Sequence, residues 1–193
     1  KPFSVDLQDE WSIEGAASLI AADAGIDLVI VATGRLHAPS LQPEKSGRAL
    51  EAAALNEAFA INTIGPALVA KRMLPLLPRN RRTVFAVLSA RVGSISDNRL
   101  GGWHSYRASK AALNMLVRTF AIEQARTHPQ TVCVALHPGT VDTRLSKPFQ
   151  SGVATEKLFT PAHAANSLLA TLDAFTPAQS GRLFAWNGEE IAP

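Results

Sequence analysis

Three short runs of apolar, largely β-branched residues constrain the fold of this chain most; they lie at residues 28–31, 83–88 and 132–136. None of them alternates apolar with polar residues, which predicts strands that are buried on both faces of a sheet. Apolar residues recur at helical spacing in residues 9–24, 50–77, 105–125 and 161–175, and residues 181–186 have the composition of a closing strand. Strands that alternate with helices predict an α/β fold, a doubly wound parallel sheet with helices on both faces.

Composition favours one domain, residues 1–193, and argues against several classes of protein. Of the 193 residues 47% are hydrophobic and 18% are charged, so the chain can build a core and is not expected to be disordered. No apolar run approaches the roughly 20 residues that a membrane span needs. No signal-peptide pattern opens the chain, and the lone Cys133 cannot form an intrachain disulfide. We therefore expect a cytoplasmic protein without a membrane partner.

The net charge of +3 raises the question of nucleic-acid binding. Most of the excess lies in one basic cluster: Lys71, Arg72, Arg79, Arg81 and Arg82. The cluster falls at the end of a predicted helix, where cations interact favourably with the helix dipole. It has no interleaved aromatic side chains that could stack on bases. The five histidines show no spacing typical of metal ligands. We expect neither a nucleic-acid partner nor a bound metal.

Tyr106 and Lys110 form the local pattern most suggestive of catalysis. Residues four apart lie on the same face of a helix, one turn from each other. An ammonium group beside a phenol favours the phenolate and lowers the pKa of the tyrosine, which can then exchange a proton with a substrate oxygen near neutral pH. The same spacing also occurs in ordinary surface packing, so the pair alone leaves both interpretations open.

The context of the pair favours the catalytic interpretation. Ligands of open α/β sheets bind beyond the carboxyl ends of the strands, and such ends are predicted at Gly34, Ser89 and Gly139. In the long predicted helix, Pro66 cannot donate a hydrogen bond to the main-chain carbonyl of Asn62. This carbonyl is therefore available to water or a ligand, and we expect a bend in the helix at this point.

Taken together, these motifs resemble the short-chain dehydrogenase/reductase family. The resemblance is carried by Tyr106-x-x-x-Lys110, Asn62, the strand-end Ser89 and the run Pro-Gly-Thr-Val-x-Thr at residues 138–143. The run Gly-Ser-Ile at residues 93–95 and the sequence of residues 105–114 are similar to carbonyl reductases of the C-factor/sniffer subtype. The resemblance covers essentially the whole chain and implies a Rossmann-type fold that binds NAD or NADP.

The resemblance also implies hydride transfer between a nicotinamide cofactor and a small carbonyl or alcohol substrate. In this family pattern Tyr106 is the general acid/base, Lys110 holds the ribose hydroxyls, and Asn62 supports a water through its main chain. Ser89 is the corresponding candidate for the catalytic hydroxyl. The implied cofactor contacts are Asp6, Ala32, Gly34, Tyr106, Lys110, Pro138, Gly139, Thr140, Val141 and Thr143. The implied substrate contacts are Arg91, Ser94, Trp103 and His104. A homodimer or homotetramer is also implied.

The chain departs from the family pattern in three places. Family members begin with a strand, a glycine-rich turn and a helix, and such a unit needs roughly 30 or more residues. We therefore expect an N-terminally incomplete chain that lacks about 50–60 residues and the first strands. Counting back from Gly93, the position of the catalytic serine falls on Ala90, so Ser89, Ser94 or no hydroxyl at all are open alternatives. Residues 31–34 read Val-Ala-Thr-Gly where the family usually has Asn-Asn-Ala-Gly.

Two other functions stay open at this point. A non-catalytic dinucleotide-binding or interaction protein could use the same fold, and Ala90 is compatible with it. A sugar-nucleotide epimerase or dehydratase could use the same tyrosine and lysine, although those relatives normally have a longer C-terminal substrate region. Replacement of Tyr106 by Phe separates an enzyme from a binding protein.

Overall fold

A computed structural model describes residues 3–21, 25–38 and 42–193. Its main sheet contains β1 (Leu28–Val31), β2 (Thr83–Leu88), β3 (Thr131–His137), β6 (Leu183–Ala185) and β7 (Glu190–Ile191). The strand order is β1-β2-β3-β6-β7, in which the first four strands are parallel and β7 is antiparallel to β6. A small parallel pair joins β4 (Thr140–Val141) to β5 (Leu158–Phe159).

Helices cover both faces of the sheet, which confirms the predicted α/β fold. The helices are α1 (Glu10–Ala21), α2 (Ala52–Phe59), α3 (Gly65–Met73), α4 (His104–Thr127) and α5 (Pro161–Ala174). Helices α1, α3 and α4 bury apolar side chains against one face, and α5 packs against the other face of β2, β3 and β6. None of the helices in the described ranges is long and apolar enough to cross a membrane.

Strand β1 is not buried on both faces, so this sequence-based prediction is wrong. Leu28 and Ile30 are 41% and 39% exposed, whereas Val31 is buried. The register pairs Leu28 with Val84 and Ile30 with Ala86, so the two exposed side chains share the sheet face that α5 covers. Among the described residues α5 reaches β2, β3 and β6 but not β1, which leaves this face of the edge strand open.

The other elements lie close to their predicted positions. The helix expected at residues 9–24 is described as α1, and residues 22–24 lie outside the described residues. The helix expected at residues 50–77 consists of α2, a π-helical segment at Ala60–Ile64, α3 and a short 3₁₀ turn. The π-helical segment contains Asn62 and ends two residues before Pro66. A proline that cannot donate to the preceding turn explains why the regular helix is interrupted here.

The basic cluster is largely paired within the fold. Lys71 and Arg72 on α3 form ion pairs with Glu10 at the start of α1, at 2.6 and 3.1 Å. Arg72 also pairs with Glu14 at 2.9 Å, and Arg81 pairs with Asp27 at 2.6 Å. Lys71 and Arg72 therefore connect α3 to α1, and Arg81 connects the segment before β2 to the residue before β1.

Candidate active site

Tyr106 and Lys110 lie in the first two turns of α4, buried to 8% and 2% exposure. The Lys110 Nζ atom is 5.8 Å from the centroid of the Tyr106 ring. The Lys110 ammonium donates a 2.8 Å hydrogen bond to the main-chain carbonyl of Leu88, the last residue of β2. The pair is therefore on one helix face and against the carboxyl end of a strand, as predicted.

The electrostatics of this pair differ from the prediction. Burial raises the pKa of Tyr106 to about 12, and burial also lowers the pKa of Lys110 to about 8. The expectation that Lys110 lowers the pKa of Tyr106 is wrong for this geometry, because removal from water disfavours both charged forms and the lysine hydrogen bond goes to Leu88. At neutral pH the phenol is protonated.

Asn62 connects the pair to the carboxyl end of β1. Its side chain is fully buried; Oδ1 accepts a hydrogen bond from the Arg35 N–H, and Nδ2 donates to the Arg35 carbonyl, both at 2.8 Å. Nδ2 also lies 3.1 Å from Ser109 Oγ, and that hydroxyl donates to the Tyr106 carbonyl at 2.8 Å. A Cβ atom on Gly34 would be 3.6 Å from both Asn62 Oδ1 and Lys110 Nζ. Gly34, Asn62 and Lys110 are therefore neighbours, as the predicted site requires.

A cleft of about 540 Å³ opens beside this group at the end of β1. Its walls contain three predicted cofactor contacts, Asp6, Ala32 and Gly34, together with Leu7, Gln8, Thr33, Arg35 and Ile61. The Arg35 guanidinium forms an ion pair with Glu57 on α2. The structure thus brings three of the predicted cofactor contacts to one cleft.

The turn after β3 contains the remaining predicted cofactor contacts. Pro138 and Gly139 follow the strand, Thr140 and Val141 form β4, and Thr143 is exposed two residues later. Gly139 has φ +77°, and a Cβ atom there would be 2.6 Å from the Phe159 ring, so only glycine fits. Phe159 in turn packs edge-on against Trp186.

The serine hydroxyls near the site are engaged elsewhere. Ser89 Oγ donates to Asn114 Oδ1 at 2.7 Å, and Ser94 Oγ accepts from the Asp97 N–H at 3.1 Å. Both serines are buried, and neither hydroxyl hydrogen-bonds Tyr106 in the described structure. The assignment of Ser89 as the catalytic hydroxyl stays a prediction.

A series of ring contacts leads away from the Tyr106 side chain. Trp103 meets the Tyr106 ring edge-on at 6.4 Å, and Phe149 meets Trp103 at 5.0 Å and His37 at 5.7 Å. His104 follows Trp103 and starts α4, with a buried Nδ1 that has no partner among the described residues. Of the other predicted substrate contacts, Arg91 is exposed and pairs with Asp97, and Ser94 lies in the adjoining turn.

Sequence reasoning missed two residues beside this site. Asn114 lies four residues after Lys110, so the helical spacing that identified Tyr106 and Lys110 could also have identified it. Glu44 is buried against the start of α4, where its carboxylate accepts hydrogen bonds from Ser105. No sequence signal points to Glu44, because it lies in a loop that is remote from α4 along the chain.

The chain is similar to a family model and to known proteins. Residues 1–174 match the family model described as "Enoyl-(Acyl carrier protein) reductase". A 1-hydroxy-2-glutathionyl-2-methyl-3-butene dehydrogenase of Rhodococcus is 32% identical over 178 residues, which cover 92% of this chain and 74% of that protein. The C-signal protein of Myxococcus xanthus is 36% identical over 134 residues, which cover 69% of this chain and 75% of that protein.

Solved structures share the fold. An NADPH-bound carbonyl reductase from chicken fatty liver has a TM-score of 0.81 and 27% identity, and the match covers 98% of this chain and 75% of that chain. The carbonyl reductase Sniffer of Drosophila melanogaster has a TM-score of 0.83 and 23% identity, with 99% and 77% covered. At that identity the second likeness concerns the fold alone. The family match and the rhodococcal relative show that the chain belongs to the short-chain dehydrogenase/reductase family and is an oxidoreductase of the carbonyl reductase type.

Proposed function

We propose that this protein is an NAD(P)-dependent oxidoreductase that interconverts a small carbonyl compound and its alcohol, with Tyr106 as the general acid/base. The observation that carries the proposal is the buried Tyr106 and Lys110 pair, one turn apart on α4 and against the end of β2. A buried phenol beside an amine is suited to proton transfer to a substrate oxygen.

The residues of the site fit a nicotinamide dinucleotide. Gly34 is exposed and a Cβ atom there would be 3.6 Å from Lys110 Nζ and Asn62 Oδ1, so a ligand bound at Gly34 would lie close to both groups. Asp6 and Gly34 would hold the adenosine end in the 540 Å³ cleft. Lys110 would hold the nicotinamide ribose, and residues 138–143 would border the nicotinamide ring. When bound, the cofactor supplies or accepts the hydride. The chicken relative is an NADPH-bound protein, which also supports this assignment.

The proton chemistry follows from the burial of the pair. Because the pKa of Tyr106 is about 12, its phenol is protonated at neutral pH and can donate to a carbonyl oxygen during reduction. Lys110, with a pKa of about 8, holds a proton that it can release near neutral pH. It is therefore suited to restore the proton of Tyr106, with a water at the Asn62 main chain as the predicted next member of the relay.

The finer assignments belong to the same proposal. Ser89 could donate to the substrate oxygen only if it gave up its hydrogen bond to Asn114. Trp103 and His104, with Arg91 and Ser94, are the proposed substrate contacts; the aromatic ring of Trp103 beside Tyr106 supports this for Trp103. The homodimer or homotetramer stays a prediction.

The test is Tyr106→Phe, which removes the hydroxyl and keeps the ring. We expect the wild-type protein to oxidise NADPH or NADH in the presence of small aldehydes or ketones, and the variant to lose this turnover by about 100-fold or more. Cofactor binding, measured by fluorescence titration, is expected to stay within about twofold, because the ring packing is unchanged. A variant that turns over at the wild-type rate contradicts the role of Tyr106. A wild-type protein that binds cofactor without any turnover supports the non-catalytic alternative instead.

A further inference from the structure

The segment that leads into α4 has an unusual backbone. Gly101, Gly102 and Trp103 have φ values of +65°, +66° and +51° in succession, and Trp103 is the N-cap residue of the helix. The first N–H groups of a helix have no partner within the helix and are usually satisfied by the N-cap side chain. The Trp103 side chain makes no such hydrogen bond. The helix that carries Tyr106 and Lys110 therefore needs its cap from another segment.

Glu44 provides this cap. Its main-chain carbonyl accepts from the Trp103 N–H at 2.5 Å, and its carboxylate accepts from the Ser105 N–H at 3.2 Å and from the Ser105 hydroxyl. Glu44 thus accepts hydrogen bonds from both the N-cap residue, Trp103, and the second residue of the helix, Ser105. A Cβ atom on Gly102 would be 3.3 Å from the Glu44 carbonyl, so the loop and the glycine turn are in close contact.

Glu44 is 5% exposed, and no lysine or arginine of the described residues forms an ion pair with its carboxylate. Burial opposes its ionisation, but the hydrogen bonds from Ser105 and the main chain outweigh this effect and hold its pKa below the ordinary value. The charge also lies at the N-terminus of a 24-residue helix, where the helix dipole stabilises an anion. A buried charge is costly unless such partners are present. The hydrogen bonds from Ser105 therefore offset the cost of burying the Glu44 carboxylate.

Tyr106 is the residue that follows Ser105. Glu44, Ser105 and Tyr106 line the same small pocket of about 10 Å³, together with Leu36 and Ala58. Glu44 therefore borders Tyr106 as well as forming hydrogen bonds with Ser105. We propose that Glu44 is a positioning residue, which fixes the first turn of α4 through Ser105 and thereby sets the position of the Tyr106 phenol. This inference rests on the proposed role of Tyr106 in the reaction.

The test uses three substitutions of one residue. Glu44→Gln keeps an acceptor oxygen for the Ser105 N–H and an amide that can donate to the Ser105 hydroxyl, so it is the conservative rescue. Glu44→Ala removes all side-chain contacts. Glu44→Asp keeps the charge but is one methylene shorter, and it serves as the second variant if Glu44→Ala does not fold. Thr83→Val is the control, because it removes a buried hydroxyl contact with Thr131 at the opposite end of β2.

Tyr106 is the single tyrosine of the chain, so a carbon-13 label at the tyrosine Cζ atom gives one NMR signal that reports this phenol alone. We expect Glu44→Ala to move that signal and to lower kcat by about 10- to 100-fold, with the KM for NADPH within about twofold. Glu44→Gln is expected to keep the signal and a kcat within about threefold of wild type, and Glu44→Asp to fall between the two. Thr83→Val lowers the unfolding midpoint and changes neither the signal nor kcat.

The inference is overturned if Glu44→Ala, or Glu44→Asp where the former does not fold, keeps both the tyrosine signal and the wild-type kcat. It is also overturned if the signal moves while kcat does not change, since Glu44 then has no effect on the reaction. Failure of the proposed function is a different result, a wild-type protein without NADPH- or NADH-dependent turnover. The NMR comparison still tests the contact between Glu44 and the first turn in that case.

Discussion

Replacement of Lys110 by Met tests whether the buried ammonium group destabilises the fold. The pKa of Lys110 falls from 10.5 to about 8 on folding because the side chain is removed from water. One pKa unit corresponds to about 1.4 kcal/mol, so at pH 7 the charge costs the folded state about 3 kcal/mol. Loss of the hydrogen bond to the Leu88 carbonyl offsets about 1 kcal/mol of the gain. We expect Lys110→Met to unfold with a free energy about 2 kcal/mol higher than wild type at pH 7, while activity is lost.

The pH dependence of this difference identifies its cause. Below pH 8 Lys110 is protonated in both the folded and the unfolded chain, and the full cost is present. Between about pH 8 and pH 10.5 only the unfolded chain holds the proton, so wild-type stability rises relative to Lys110→Met by about 1.4 kcal/mol for each pH unit. The advantage of the variant is therefore expected to disappear at about pH 9.5, and the wild type is expected to be the more stable protein by pH 10.5.

Urea unfolding of both proteins between pH 7 and pH 10.5 measures this difference. Lys71→Met is the matched control, because the Lys71 side chain is 57% exposed and pairs with Glu10 on the surface. Its effect on the free energy of unfolding is expected to stay within about 1 kcal/mol at every pH. A difference between wild type and Lys110→Met that is constant with pH, or a variant that is less stable at pH 7, would refute the argument from burial.

Three further substitutions test other parts of the site. Gly139→Ala is expected to destabilise the fold by about 1–3 kcal/mol and to raise the KM for NADPH, because φ is +77° and the new Cβ would collide with Phe159; urea unfolding and steady-state kinetics measure both effects. Asn62→Ala leaves the main chain of Arg35 without buried partners and is expected to cost about 2–3 kcal/mol by the same unfolding assay, whereas a cost near zero would contradict these contacts. Ser89→Ala is expected to lower kcat by less than about 10-fold, since the hydroxyl proton serves Asn114; a loss of about 100-fold or more would instead assign Ser89 as the donor to the substrate.

The fold was largely predictable because its signals are local. Apolar runs without alternation predicted β2 and β3, and helical spacing predicted α4 and α5 to within two residues at each end. Strand β1 shows where this fails. Its sequence is as apolar as that of β2, but its exposure depends on whether a helix covers it, and the apolar run itself contains no information about its neighbours in space.

The site was predictable to the extent that its residues follow one another on α4 or stand at strand ends. Tyr106 and Lys110 could be paired from their spacing, but the direction of the Tyr106 pKa could not, because that direction depends on how deeply the helix is buried. Asn62 was selected for its main-chain carbonyl, whereas its side chain makes the larger set of contacts, to Arg35 and Ser109. Those contacts join three segments that are distant in sequence.

Burial has opposite consequences for stability and for the proposed chemistry at α4. It makes Lys110 costly to the fold, yet it also brings the pKa of Lys110 to about 8, where the side chain can exchange a proton near neutral pH. It raises the pKa of Tyr106 to about 12, which keeps the phenol protonated and favours its role as a donor in the direction of reduction. A more exposed pair would cost the folded state less free energy, but the pKa of Lys110 would then no longer be lowered by burial. The Glu44 carboxylate lies at the N-terminus of the same helix, where hydrogen bonds from Ser105 and the helix dipole stabilise it.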